Sequence, residues 1–305
     1  MKTHYYQAAS FAALLCASQL VCAEVSSPHA DALRAAGYQV HNGNDGGFKV
    51  DFGTVKVIND ASIAHIAALG DVRELSGTGE GVNDAVFAKM IKAVPALETL
   101  FINSSMVTDD GSKVLASLPK FRHLGLHHGC KEFTGKGLLA LKDNPNFKSV
   151  EFGGMGSIDD ASVRYFAEMP HLREIAVFHT MNTRASLPVL VKKNPLLEKF
   201  AFNPHFQPAR FVAQDIALLA PLANLNDLTL SDMVLPFENG LSHLTALKGL
   251  KKVSLEWSIY TDEDLAKLKA ILPNLEIITS NRGKMEELTN WNERLEAMKK
   301  DGLKK

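Results

Sequence analysis

Val107-Thr108-Asp109-Asp110-Gly111, followed by Pro119-Lys120-Phe121-Arg122-His123-Leu124-Gly125-Leu126, is the stretch on which the reading of this chain turns. In its second half Leu124 and Leu126 alternate with polar or small neighbours, so both fall on one side of an extended segment and mark a short strand with one buried face. Between the halves Val114, Leu115 and Leu118 recur at helical spacing. Thr108 and Asp109 stand just ahead of that run. A short polar side chain there accepts amide hydrogens of the first helical turn, and a carboxylate suits the positive end of the helix. Pro119 stops the helix and turns the chain into the strand.

Copies of this unit run outward in both directions. The pattern apolar-x-x-apolar-x-apolar starts at Val72, Leu97, Phe121, Phe147, Leu172, Leu197, Leu225, Leu250 and Leu275, at spacings of 25, 24, 26, 25, 25, 28, 25 and 25 residues. Its second column reads Leu75, Leu100, Leu124, Val150, Ile175, Phe200, Leu228, Val253 and Ile278, and its third runs from Gly77 and Ile102 to Leu255 and Ser280. Val50 and Phe52 lie one period before Leu75 and Gly77 and read as a capping strand. Helical spacing returns between the strands, at Ile63, Ile66 and Leu69, at Val86, Met90 and Val94, at Val163, Phe166 and Met169, and at Leu265, Leu268 and Leu272. Helix starts are marked by Asn59-Asp60, Asn83-Asp84, Thr134, Asp159-Asp160 and Thr261-Asp262, and helix ends by Pro95, Pro145, Pro170, Pro195 and Pro273. One unit of about 25 residues cannot bury its own apolar faces; stacked copies share one continuous core. The predicted fold is an α/β solenoid, with a curved parallel sheet on the concave side and helices on the convex side.

The ends have a different character. Lys2, an apolar run over residues 8–21 and Val21-Cys22-Ala23 before Glu24 read as a secretory signal cleaved after Ala23. That run is shorter than the ~20 residues of a lasting membrane span. Gln19, Leu20 and Val21 are the wrong residues for a lipid-modified Cys22. The division that follows is residues 1–23 signal, 24–56 an N-terminal cap of short helix (from Asp31 to Ala36) and hairpin, 57–283 repeats, and 284–305 a capping helix and tail. Met285, Leu288, Trp291, Leu295 and Met298 give that last helix one apolar face, to shield the final repeat or to meet a partner helix. With Cys16 and Cys22 in the signal, Cys130 is left alone; it reads as a buried small apolar residue, against the alternative of a reactive thiol.

These residues resemble the leucine-rich-repeat family, in its short-repeat, ribonuclease-inhibitor-like type found in exported bacterial proteins. The likeness covers about residues 48 to 283. It departs from the family at the Asn ladder, whose column holds Ser105, Gly129, Met155, Thr180, Met233 and Ser258. The resemblance implies the solenoid fold and a general binding role, and a shared fold transfers no particular ligand.

A net charge of -1, with 33 Lys and Arg against 34 Asp and Glu, provides no basic stripe, so no nucleic-acid partner is expected. Nucleophile-elbow, metalloprotease, phosphate-loop and haem-attachment motifs are all missing from the sequence, and no cofactor is expected. The polar strand positions face the concave side. There they set Phe101, His123, His127, Glu151, Glu174 and Phe178 on neighbouring strands, with His128 and His179 beyond the rim. Exposed aromatics beside fixed charges suit a recognition surface. His123 and His127 are four residues apart on one strand, ~13 Å by backbone, and Glu151 is only a diagonal neighbour, which is poor spacing for one metal ion. The 28-residue spacing falls at Asn203-Pro204-His205-Phe206-Gln207-Pro208, a lip that reads equally as a ligand contact through His205 and Phe206 or as a packed bulge. The function expected is a non-enzymatic binding module, secreted or periplasmic, for a protein or cell-envelope ligand. The alternative is a metal-dependent or acid-base hydrolase centred on the His/Glu patch.

Overall fold

The computed structural model describes residues 27–280 apart from 44–45, 54, 56–57 and 204–210, together with residue 283. Helix α1 (Pro28–Ala35) is followed by β1 (Gln39–Asn42) and β2 (Phe48–Asp51). The inner side of the repeats is built by β3 (Val72–Thr78), β4 (Thr99–Ser105), β5 (His123–Gly129), β6 (Ser149–Gly153), β7 (Glu174–Phe178), β8 (Lys199–Asn203), β9 (Asp227–Ser231), β10 (Lys252–Glu256) and β11 (Glu276–Ile278). The outer side carries α2 (Asp60–Ala68), α3 (Asp84–Ala93), α4 (Asp109–Ser112), α5 (Asp160–Ala167), α6 (Leu187–Lys193) and α7 (Asp262–Ile271). Among the described residues, eleven strands lie in one sheet in chain order. β1 and β2 form an antiparallel hairpin, and the later neighbours run parallel. This is the α/β leucine-rich-repeat solenoid, with the sheet concave and the helices convex.

Register follows the period. Leu75, Leu100, Leu124, Val150, Ile175, Phe200, Leu228 and Val253 are Cα partners from strand to strand, and all are buried. Burying each such side chain stabilises the fold by roughly 1.5–3 kcal/mol, so the column holds neighbouring coils together. Asn59, Asn83, Thr108, Asp159 and Thr261 cap their helices through side-chain oxygens. α1 begins earlier than its apolar pattern suggests because Ser27 accepts from the Ala30 amide at 3.0 Å and Pro28 fits the first turn.

Three features differ from the sequence expectation. Much of the convex side is 3-10 helix, over Lys113–Ser117, Lys136–Leu141, Arg184–Ser186, Ala213–Leu219 and Leu241–Ala246. At ~2.0 Å per residue against ~1.5 Å, a 3-10 turn spans the same gap with fewer residues. The last strand is shifted by one: Val253 pairs with Ile277, not Ile278. Two adjacent isoleucines present an apolar side chain in either register, so hydrophobicity cannot fix it. In the ladder column Gly129 pairs with Ser105 as read but is exposed, and the buried side chain there is that of Cys130, its Sγ 2.8 Å from Ser105 Oγ. Successive left-handed residues His128, Gly129 and Cys130 (φ 52°, 59° and 42°) absorb the extra residue of the 26-residue spacing.

The missing Asn ladder has a counterpart where the chain enters its outer elements. The Asp84 carboxylate accepts from the Thr108 amide (2.9 Å) and hydroxyl (2.7 Å) of the next coil. Asp109 does the same for Thr134 (3.1 and 2.6 Å) and also takes the Gly137 amide at 3.1 Å. Asp160 accepts from the Thr183 amide (2.8 Å) and hydroxyl (2.7 Å), and from Ser186. These acids complement their own helix and tie each coil to its successor.

Candidate functional site

Along each strand, alternate residues face the concave side, and parallel register lines them up in rows. The first row is neutralised internally. Lys49 pairs with Glu74 (3.4 Å), Glu174 with Lys199 (2.8 Å) and Asp227 with Lys252 (3.2 Å), each across one strand step. Between these pairs, His123 Nδ1 lies 2.7 Å from Ser149 Oγ. Glu174 therefore stands on the concave face engaged with Lys199, and is not an open carboxylate.

Further along the strands, aromatic rings lie over glycines. Phe101 pairs with Gly125 and His127 with Gly153. A Cβ on Gly125 would come within 2.4 Å of the Phe101 ring, and one on Gly153 within 3.0 Å of the His127 ring. The missing side chains are what let these rings lie down on the sheet. Phe101 and His127 then meet edge to face at 4.7 Å between centroids. His127, tilted this way, crosses to its diagonal neighbour: Nε2 is 2.8 Å from Glu151 Oε1. No hydrogen bond forms along that line, so the contact is a close approach of imidazole and carboxylate. His127 and Glu151 are only 6% and 4% exposed, so the two residues expected on an open surface are instead shut into the floor of the face.

Burial pushes the His123 imidazole below its ordinary value of 6.5, although Glu151 and Glu174 pull the other way. His128 is lowered mainly by burial and further by His127 and His179. Among the described residues, no three His, Cys, Asp or Glu side chains converge as they would around a metal ion. Burial likewise raises the Cys130 thiol, which keeps it protonated and unreactive.

A left-handed residue recurs at the strand ends, Ser104 and His128 as the second-last residues of β4 and β5, and Gly154, His179, Asp232 and Trp257 just after β6, β7, β9 and β10, with φ from 50° to 64°. His128 is the second-last residue of β5 and His179 directly follows β7. His179 Nε2 is 3.8 Å from Asp232 Oδ2, and Asn203 donates its side-chain amide to that same oxygen at 2.8 Å. Phe178 is half-buried on β7 beside Asn203. Phe101, His123, His127, Glu151, Glu174 and Phe178 therefore occupy four adjacent strands, while His205 and Phe206 lie outside the described residues.

Sequence reasoning passed over one group. Asp227, Thr229 and Ser231, the whole concave edge of β9, are buried together with Asn203 of β8. Their alternation with Leu228 and Leu230 is the signal of a strand with one polar face, and an ordinary solvated face reads identically.

Among solved structures, a crystallised Bacteroides fragilis protein superposes with a TM-score of 0.52 at 17% identity, over 70% of this chain and 67% of that one. TLR13 in its complex with ssRNA13 gives a TM-score of 0.46 at 15% identity, over 79% of this chain and 33% of that one. No family model matches the sequence, and no curated protein does. Among the described residues no helix is long and apolar enough to cross a membrane. At such low identity, what the chain shares with the Bacteroides fragilis protein is its architecture.

Proposed function

We propose that this chain is a non-enzymatic binding module that is exported, processed after Ala23, and presents its concave sheet to a protein or cell-envelope ligand. The observation that carries this reading is the construction of the face itself. Glycine seats, cross-strand ion pairs and ring contacts hold aromatic and charged side chains in place on β4 to β10, which is the preorganisation a recognition surface needs. In this reading the N-terminal cap over 24–56 covers the first coil; the capping helix expected at 284–305 and the lip at 204–208 lie outside the described residues.

Alanine at Phe101, Phe178 and Glu174 together is expected to weaken capture of the ligand from a matched lysate, measured at a temperature where the variant's circular dichroism shows it still folded. Equal capture by the variant contradicts the reading. Export is checked by N-terminal sequencing of the protein from the culture medium or periplasm, which should begin at Glu24.

The 2.8 Å contact between His127 and Glu151 is the one feature that favours an acid-base hydrolase. Its burial argues against that role, because a general base must reach a proton on a bound substrate. A hydrolase substrate panel and elemental analysis of the purified protein test the enzymatic alternative directly.

A further inference from the structure

Buried polar side chains almost always find a hydrogen-bond partner. Over β8 and β9 four of them do not: Asn203 Oδ1, Asp227 Oδ1, Thr229 Oγ1 and Ser231 Oγ, on residues that are 2%, 9%, 3% and 5% exposed. Three of these residues are consecutive concave positions of β9, and Asn203 is on the strand beside it. The strip running across them is made of small residues in register: Ala176 pairs with Ala201, Ala201 with Thr229, and Thr229 with Ser254. Larger side chains stand on both sides. The Glu174–Lys199 and Asp227–Lys252 pairs border one edge, and Phe178 and Glu256 border the other. The result is a shallow trough with orphaned polar atoms along its floor.

The donor and acceptor inventory narrows what fits there. Each hydroxyl, Thr229 and Ser231, has a hydrogen to give and lone pairs to fill, whereas Asn203 Oδ1 and Asp227 Oδ1 can only accept. An ammonium group supplies donors but cannot take the hydroxyl hydrogens. An anion takes those hydrogens but meets the Asp227 carboxylate. Burial and the Asp232 carboxylate push the Glu256 carboxyl up, so further negative charge at this edge is disfavoured. A neutral polyol both gives and accepts at every hydroxyl, and the half-buried Phe178 ring offers an apolar surface for its C–H face.

We propose that the trough over β8 and β9, lined by Asn203, Asp227, Thr229 and Ser231, is a subsite for a neutral saccharide. This deepens the concave-face reading and rests on it. The orphaned atoms are covered in this structure, so binding requires the side chains above them to move aside.

The test is calorimetric titration of the full chain with neutral cello-, malto- and N-acetylchito-oligosaccharides, alongside inorganic phosphate and an alkylammonium salt. One neutral series is expected to bind. Thr229→Val with Ser231→Ala, which removes both hydroxyls with little change of shape, should weaken that binding at least about tenfold, the effect of one lost hydrogen-bonded pair. The melting temperature of the double variant should be equal or higher, because it no longer buries unsatisfied hydroxyls. No binding by any neutral series, preference for phosphate or ammonium, or undiminished binding by the variant overturns the subsite. If saccharides fail while the Phe101, Phe178 and Glu174 variant still loses capture from lysate, the subsite falls and the binding-module reading stands.

Discussion

At the scale of single residues, glycine does the least expected work. Gly77 (φ 151°) leaves room for Phe52, whose ring atoms come within 2.3 Å of where a Cβ would be, and Gly125 and Gly153 do the same for Phe101 and His127. Gly125→Ala should therefore destabilise the protein by roughly 1–3 kcal/mol by displacing the Phe101 ring. In a Phe101→Ala background the same substitution should cost much less, and denaturant titration of the four proteins reads the difference. Equal losses in both backgrounds would show that the ring does not rest on the glycine. A second expectation concerns pH. Since folding lowers the His123 and His128 imidazoles, the unfolded chain binds more protons just below pH 6.5, and stability must fall as pH drops through that region. His123→Asn should flatten the fall in urea midpoints measured from pH 7.5 to 5; an unchanged slope would remove His123 from the account. None of this was visible in the sequence. Gly125 reads there as one more concave strand position, and Glu151 as only a diagonal neighbour of the histidines, because neither the tilt of a ring nor the burial it brings is written in spacing.

At the scale of elements, strands were legible and convex segments less so. Leu100, Leu124, Val150 and Ile175 recur at fixed intervals because each needs the same interior, so burial leaves its period in the sequence. The Asp–Thr ties between coils leave no such trace. Asp109 looks like an acid suited to its own helix, and only the stacked structure shows its carboxylate taking both hydrogens of Thr134. Asp109→Ala removes three hydrogen bonds to a charged group and is expected to cost at least about 1.5–3 kcal/mol, the value of a single such bond. Asp109→Asn should recover part of the loss. A melting temperature unchanged by either substitution would mean that the ties are incidental. The 3-10 turns were hidden for a related reason: Lys113–Ser117 and Lys136–Leu141 carry helical spacing, and the tighter winding is imposed by the distance they must cover.

At the scale of the whole molecule, each coil borrows stability from its neighbours, so an interior change and a surface change should behave differently. Leu124→Ala is expected to cost roughly 2–5 kcal/mol and to lower the cooperativity of unfolding, since it opens a gap between two interfaces of the stack. Phe178→Ala, on a half-buried position of the concave face, should lower ligand capture far more than it lowers the melting temperature. The fold could be read from the sequence because an array repeats one solution nine times over. The candidate site could not be read fully, because it depends on how side chains 24 or more residues apart, on different strands, settle against one another. The most direct test of the central claim is hydrogen exchange of the chain with and without the fraction it captures. The account predicts added protection on peptides spanning β4 to β10, with the outer helices unchanged. Protection confined to the convex elements, with the strands unaffected, would contradict it.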